Sequence, residues 1–219
     1  KIPSILVMFQ GIFSQAWTMS AVQGYDKDDK NGFFTRMYQS YNLCMVLVCS
    51  VLIMLSRLKA KVLYAHDLYH AWKYVPFLLI ASVFGALSGY VGGIFAATKD
   101  TKIFAKTSIM GAVANLMLTF VLVWKVGVMG AAIASPVSYG FIWYLRIKSV
   151  SKYMNMKINL FKDVFGYLIL CIQTVLLFIF PDNILFFILL LLAIVVLLLL
   201  NKELLSIVMN KITNKFIKR

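Results

Sequence analysis

Apolar residues in this chain come in blocks, and the blocks have the length of a bilayer. Seven runs can be drawn, over about 2–23, 38–56, 75–98, 105–125, 127–145, 164–180 and 184–200. A helix needs roughly 20 predominantly apolar residues to cross the hydrocarbon core, so each run predicts one such helix. Pro3 and Pro76 fall in the first turns of the first and third runs, where a missing N–H costs nothing. Pro181-Asp182-Asn183 predicts a tight turn that folds the last two runs into a hairpin. The fold class expected is all-α integral membrane. It has five spans over 1–147, a basic loop at 148–163, the hairpin at 164–200 and a tail at 201–219.

Composition supports this reading. The chain is 62% hydrophobic and 14% charged with a mean hydropathy of +0.86, whereas soluble domains carry about a quarter charged residues. The net charge of +14 has no soluble basic domain to sit on, so nucleic acid is not an expected partner. It is instead a topology signal. Of the 22 Lys and Arg residues, 16 lie after the first, third and fifth runs and in the tail, and 6 lie on the other side. The heavier side is expected to be cytoplasmic. In the tail, Leu205, Val208, Met209, Ile212 and Phe216 share one helical face and lysines occupy the rest. That is the pattern of an amphipathic helix lying on an anionic inner leaflet. The chain opens at Lys1 directly ahead of a span, which suggests a piece of a longer protein.

Small residues mark where helices are expected to touch. Gly85, Gly89 and Gly93 recur at four-residue spacing in the third run, a strip on which another backbone could pack closely. The fifth run carries Gly127, Gly130, Ala131, Ala134 and Ser135 as further packing marks, then Pro136 in mid-span, where a kink or swivel is expected. The seventh run is apolar all round and is expected at the periphery.

Candidate chemistry is sparse. No Asp, Glu, Lys or Arg is expected deep in a span, so a proton relay is not. Gln10, Ser14 and Trp17 follow one another at i, i+4 and i+7 in the first run, with Gln15 on a neighbouring strip. An amide facing lipid is costly, so these groups face protein or a water-filled cavity. Interhelical hydrogen bonds and a polar path wall fit equally on residues alone. Asn115 is a second isolated amide, better read as an interhelical bond than as substrate contact, and Tyr38, Gln39, Tyr41 and Asn42 read as an interfacial belt. His66 and His70 stand four apart with Asp67 between them, a spacing that would suit a metal. They are the only two histidines, and Tyr64, Tyr69, Trp72, Lys73 and Tyr74 around them compose an interfacial girdle. Anchoring is the expected role, ahead of head-group contact and of catalysis. Cys44, Cys49 and Cys171 fall within apolar runs and are expected to be free thiols. No catalytic residue, metal site or cofactor is expected.

Three stretches carry a resemblance. KIPSILVMFQGIFSQAWTMSAVQ, YHAWKYVPFLL and GAVANLMLTFVLVWKVGVMGAAIAS resemble, in this order and spacing, runs of the polysaccharide flippases. These are the O-antigen and teichoic-acid exporters of the multidrug/oligosaccharidyl-lipid/polysaccharide exporter superfamily. The likeness covers about residues 1–150; the last two spans resemble the extra C-terminal hairpin of fourteen-helix members only in kind. It implies that the chain forms the C-terminal half of a two-lobed exporter in a bacterial cytoplasmic membrane, with its C-terminus cytoplasmic. The missing N-terminal half, membrane lipids and glycan polymerase machinery would be its partners. The implied substrate is an undecaprenyl-diphosphate-linked oligosaccharide, moved from the inner to the outer leaflet by alternating access. The resemblance also places the first span on the cavity, which favours Gln10, Ser14 and Trp17 as path residues, and it puts the groups that hold the diphosphate in the other half. A multidrug exporter of the same superfamily is the nearest alternative. A membrane-embedded glycan polymerase or ligase is a more distant one.

Overall fold

The computed structural model describes residues 2–63, 71–179 and 184–201. Among them are seven helices and no strand: α1 (Ile2–Gln23), α2 (Phe33–Leu63), α3 (Val75–Ala97), α4 (Thr101–Val126), α5 (Val128–Val150), α6 (Leu160–Ile179) and α7 (Ile184–Leu200). The first six are long and apolar enough to cross a membrane. The 17 residues of α7 reach about 26 Å at 1.5 Å per residue. The histidine stretch and the amphipathic tail lie outside the described residues, apart from Ala71–Tyr74 and Asn201.

α3 is the centre of the bundle. Pro76 opens it as expected, and α1, α2 and α5 pack directly on it, with α4 against α5 and α6 against α2. Leu79, Val83, Leu87, Val91, Ile94 and Phe95 of α3 are fully buried. α7 lies against α2 and α6, and Ile188, Leu189, Leu191 and Leu192 remain exposed, in keeping with the peripheral place expected for it. α4 is nearly bare on one side: Leu116, Met117, Phe120 and Trp124 are each more than 60% exposed. An apolar face of this kind is stable against lipid or another helical body and unstable against water.

Four helices run beyond their apolar blocks. α2 continues to Leu63, α4 begins at Thr101 rather than 105, α5 continues to Val150, and α6 begins at Leu160 rather than 164. Helix hydrogen bonding does not stop where the apolar run stops, and Arg, Lys and Leu are good helix formers. The consequence is a correction. Arg146, expected just past the fifth span, and Asp163, expected at the end of the basic loop, sit inside helices at 4% and 9% exposure. Charged groups are therefore present within the bundle.

The loops after α1, α3 and α5 gather at one end. Tyr25 Oη donates to the Tyr153 carbonyl (2.5 Å), Asn155 N donates to the Lys27 carbonyl (2.9 Å), and Lys157 N donates to Thr35 Oγ1 (3.2 Å). Tyr153 Oη donates to Asp100 Oδ2 (2.6 Å), tying in the third loop. That bond holds the Asp100 carboxyl below its usual range and is the chief cause of a raised Tyr153 pKa. These are the loops that the charge distribution assigned to one side.

The close helix contacts fall on the small residues marked in the fifth run more than on the four-residue glycine strip. A Cβ on Gly89 would meet nothing nearer than Gln10 Nε2 at 4.0 Å, and one on Gly85 would meet Tyr139 at an ordinary 3.6 Å. The tight seams are Gly130, where a Cβ would lie 2.3 Å from the Leu122 backbone, and Gly111, 2.1 Å from Ile142. Both belong to the α4–α5 hairpin, which turns on Gly127 alone (φ 63°, ψ −148°). Of the strip, only Gly93 is a close seat: a Cβ there would lie 2.7 Å from Trp17 Nε1. Pro136 lies inside a helix that runs unbroken from Val128 to Val150.

Candidate functional site

A groove of about 1000 Å³ lies between α1, α3, α4 and α5. It exists because α3 presents small residues there: Gly85, Ser88 and Gly89 leave a trough that larger side chains would fill. Two candidates from the sequence meet in it. Gln10 of α1 reaches over the Gly85–Gly89 trough, and Asn115 of α4 faces it from the other wall, with Ser135, Ser138 and Tyr139 of α5 between them. The Gln10 side chain has no hydrogen bond among the described residues. Asn115 Oδ1 accepts only a long bond (3.5 Å) from Thr119 of its own helix. Neither amide makes the interhelical bond that was the alternative for both.

The other candidates go elsewhere. Trp17 is 2% exposed, stacks on Tyr90 at a centroid distance of 4.1 Å and donates its indole N–H to the Tyr90 carbonyl (2.8 Å). It joins α1 to α3 and offers no face to the groove. Ser14 is half-buried outside the groove lining, and Gln15 is exposed. Tyr38, Tyr41 and Asn42 are buried rather than forming the interfacial belt expected of them: Tyr41 stacks on Phe13, and Tyr38 and Asn42 enter a polar knot. Asn42 Nδ2 (2.7 Å) and Tyr38 Oη (3.2 Å) both donate to Asp163. Trp143 Nε1 donates to Tyr38 Oη (3.1 Å), and Tyr167 Oη donates to Asn42 Oδ1 (3.2 Å). One carboxylate thus ties α2, α5 and α6 together, beside a second cavity of about 550 Å³ that Gln39, Lys157 and Lys162 also line. The three cysteines are free, as expected.

Sequence reading missed the end wall of the groove. Arg146 of α5 lies there against the Phe104 ring, 4.1 Å from its centroid. Its Nε donates to Thr107 Oγ1 (3.1 Å), Nη1 to the Ser88 carbonyl (2.8 Å) and Nη2 to Ser108 Oγ (2.8 Å). Gly92 makes room for this stack, since a Cβ there would lie 2.6 Å from Phe104. The available signal was spacing: Arg146 falls three residues after Trp143 and four before Val150, on the buried face of α5.

Fold and groove together define an all-helical membrane protein with a largely apolar recess that carries a few amide, hydroxyl and guanidinium groups. No protein-family model matches the chain, and no curated protein or solved structure is detectably similar to it.

Proposed function

We propose that this chain is part of a transporter that moves an undecaprenyl-diphosphate-linked oligosaccharide from the inner to the outer leaflet of a bacterial cytoplasmic membrane. It acts as the C-terminal lobe of an alternating-access exporter. The observation that carries this reading is the meeting of Gln10 and Asn115, two amides free of interhelical bonds, across one groove inside an apolar bundle. Amides and hydroxyls on an otherwise apolar wall suit a sugar, which offers many hydroxyl groups and one apolar face per ring. The bare face of α4 beside the groove suits a second lobe or lipid. The resemblance in residues 1–150 supplies the substrate class and the seven-span frame, in which the loops joined at Tyr153 are cytoplasmic.

The reading is tested by deleting the full-length gene in its own host and following surface glycan with a lectin, alongside lipid-linked intermediates in the membrane. The expected outcome is loss of surface glycan with accumulation of the intermediate on the inner leaflet, restored by the wild-type gene. Unchanged surface glycan and no accumulation would contradict it.

A further inference from the structure

A guanidinium carries five N–H groups, and Arg146 spends three of them on Thr107, Ser88 and Ser108. All three acceptors are neutral. The Thr107 and Ser108 hydroxyls give their own protons to backbone carbonyls of α4, so they present lone pairs to the arginine and nothing more. No acidic side chain accepts from Arg146 among the described residues. A buried cation held only by neutral groups keeps an uncompensated charge, which is costly in a low-dielectric interior.

A second, independent observation lies beside it. Ser88 is 3% exposed, and its Oγ has no hydrogen-bond partner. Buried hydroxyls are ordinarily bonded. Ser88 and Arg146 line the same groove, so two unused N–H groups and one unused hydroxyl share one wall.

We propose that Arg146 and Ser88 form a seat for the phosphoryl group of a lipid that enters the groove from the membrane. The planar arginine fork matches phosphoryl oxygens, and the serine supplies a further donor. A lipid is favoured over a free anion by the walls leading to the seat, where Phe104, Leu116, Phe120 and Ile142 are apolar. Depth agrees. Arg146 lies four residues from the end of α5, about 6 Å along the axis, near the head-group level rather than the bilayer centre. The seat deepens the transport reading and rests on it for the lipid source, and it places a phosphate contact in this half of the exporter.

The test uses the purified full-length protein in detergent with three probes: farnesyl diphosphate, farnesol and inorganic pyrophosphate. Farnesyl diphosphate is expected to bind and to raise Tm, with the other two at least about tenfold weaker. Ser88→Ala should leave the ligand-free Tm no lower, because its buried hydroxyl bonds nothing, and should weaken farnesyl diphosphate binding roughly three- to tenfold. Arg146→Lys, which keeps the charge and loses the fork, should weaken it by about tenfold or more. Equal binding of farnesol would reduce the site to an apolar trough, and equal binding of pyrophosphate would make the ligand a free anion. Unchanged affinity in Ser88→Ala would overturn the seat even if Arg146→Lys failed to fold. If binding fails while gene deletion still traps glycan inside, the seat is wrong and transport stands. If binding holds while deletion leaves surface glycan unchanged, the oligosaccharide reading falls and the seat survives.

Discussion

At the scale of single residues, the glycines show how far spacing alone can mislead. Gly85, Gly89 and Gly93 form a regular strip, yet only Gly93 is closely covered, by an indole edge. Gly130 stands outside that strip and has a neighbouring backbone where its Cβ would be. Gly130→Val should therefore cost about 1–3 kcal/mol or more, the usual penalty of overpacking, and lower the amount of folded protein in the membrane. Gly89→Ala should leave that amount unchanged, since its Cβ would enter the groove. Measuring membrane abundance of the two variants side by side checks the assignment, and equal loss would contradict it. Gln10 and Asn115 were legible as residues needing a polar environment, because an amide in lipid is costly wherever the helix turns out to lie. Trp17 was not legible: its position on α1 fits a groove or a packing face equally, and only the Tyr90 carbonyl decides between them.

At the scale of elements, six apolar blocks became six helices of spanning length, because span length is a property of the chain in one dimension. Their ends were less legible. Arg146 and Asp163 stand where a hydropathy reading places loops, and their burial depends on three helices converging, which no single stretch of sequence encodes. Each charge finds neutral hydroxyl, amide or carbonyl groups from helices distant along the chain. The loops show the same dependence, through Tyr153. Hydrogen bonding lowers the Asp100 pKa in the folded state, so its contribution to stability is full above the ordinary aspartate pKa and is lost as pH falls through the lowered value. Tyr153→Phe should weaken this dependence by removing its largest cause, making the melting temperature flatter across the acid range below about pH 4. An unchanged acid profile would show that the bond does not persist in solution. Sidedness is open to direct measurement. Single cysteines at Asp100 and Asn155, in a background without the three native thiols, should label from one face with an impermeant reagent, and one at Lys125 from the other. Labelling of all three from the same side would contradict the arrangement.

At the scale of the whole molecule, α3 forms a buried spine while α4 leaves a broad apolar face uncovered beside the groove. A water-soluble body would not keep such a face, whereas one half of a two-lobed exporter would place it toward lipid or toward the other half. The central claim is that the groove carries a lipid-linked glycan. The most direct measurement installs a photo-cross-linking benzoylphenylalanine at Asn115 inside the groove and, separately, at Trp124 on the outer face of α4. Adducts formed in glycan-producing cells are then identified by mass spectrometry. The account predicts lipid-linked oligosaccharide on the Asn115 variant and only bulk phospholipid on the Trp124 variant. Bulk phospholipid alone at both positions would contradict it.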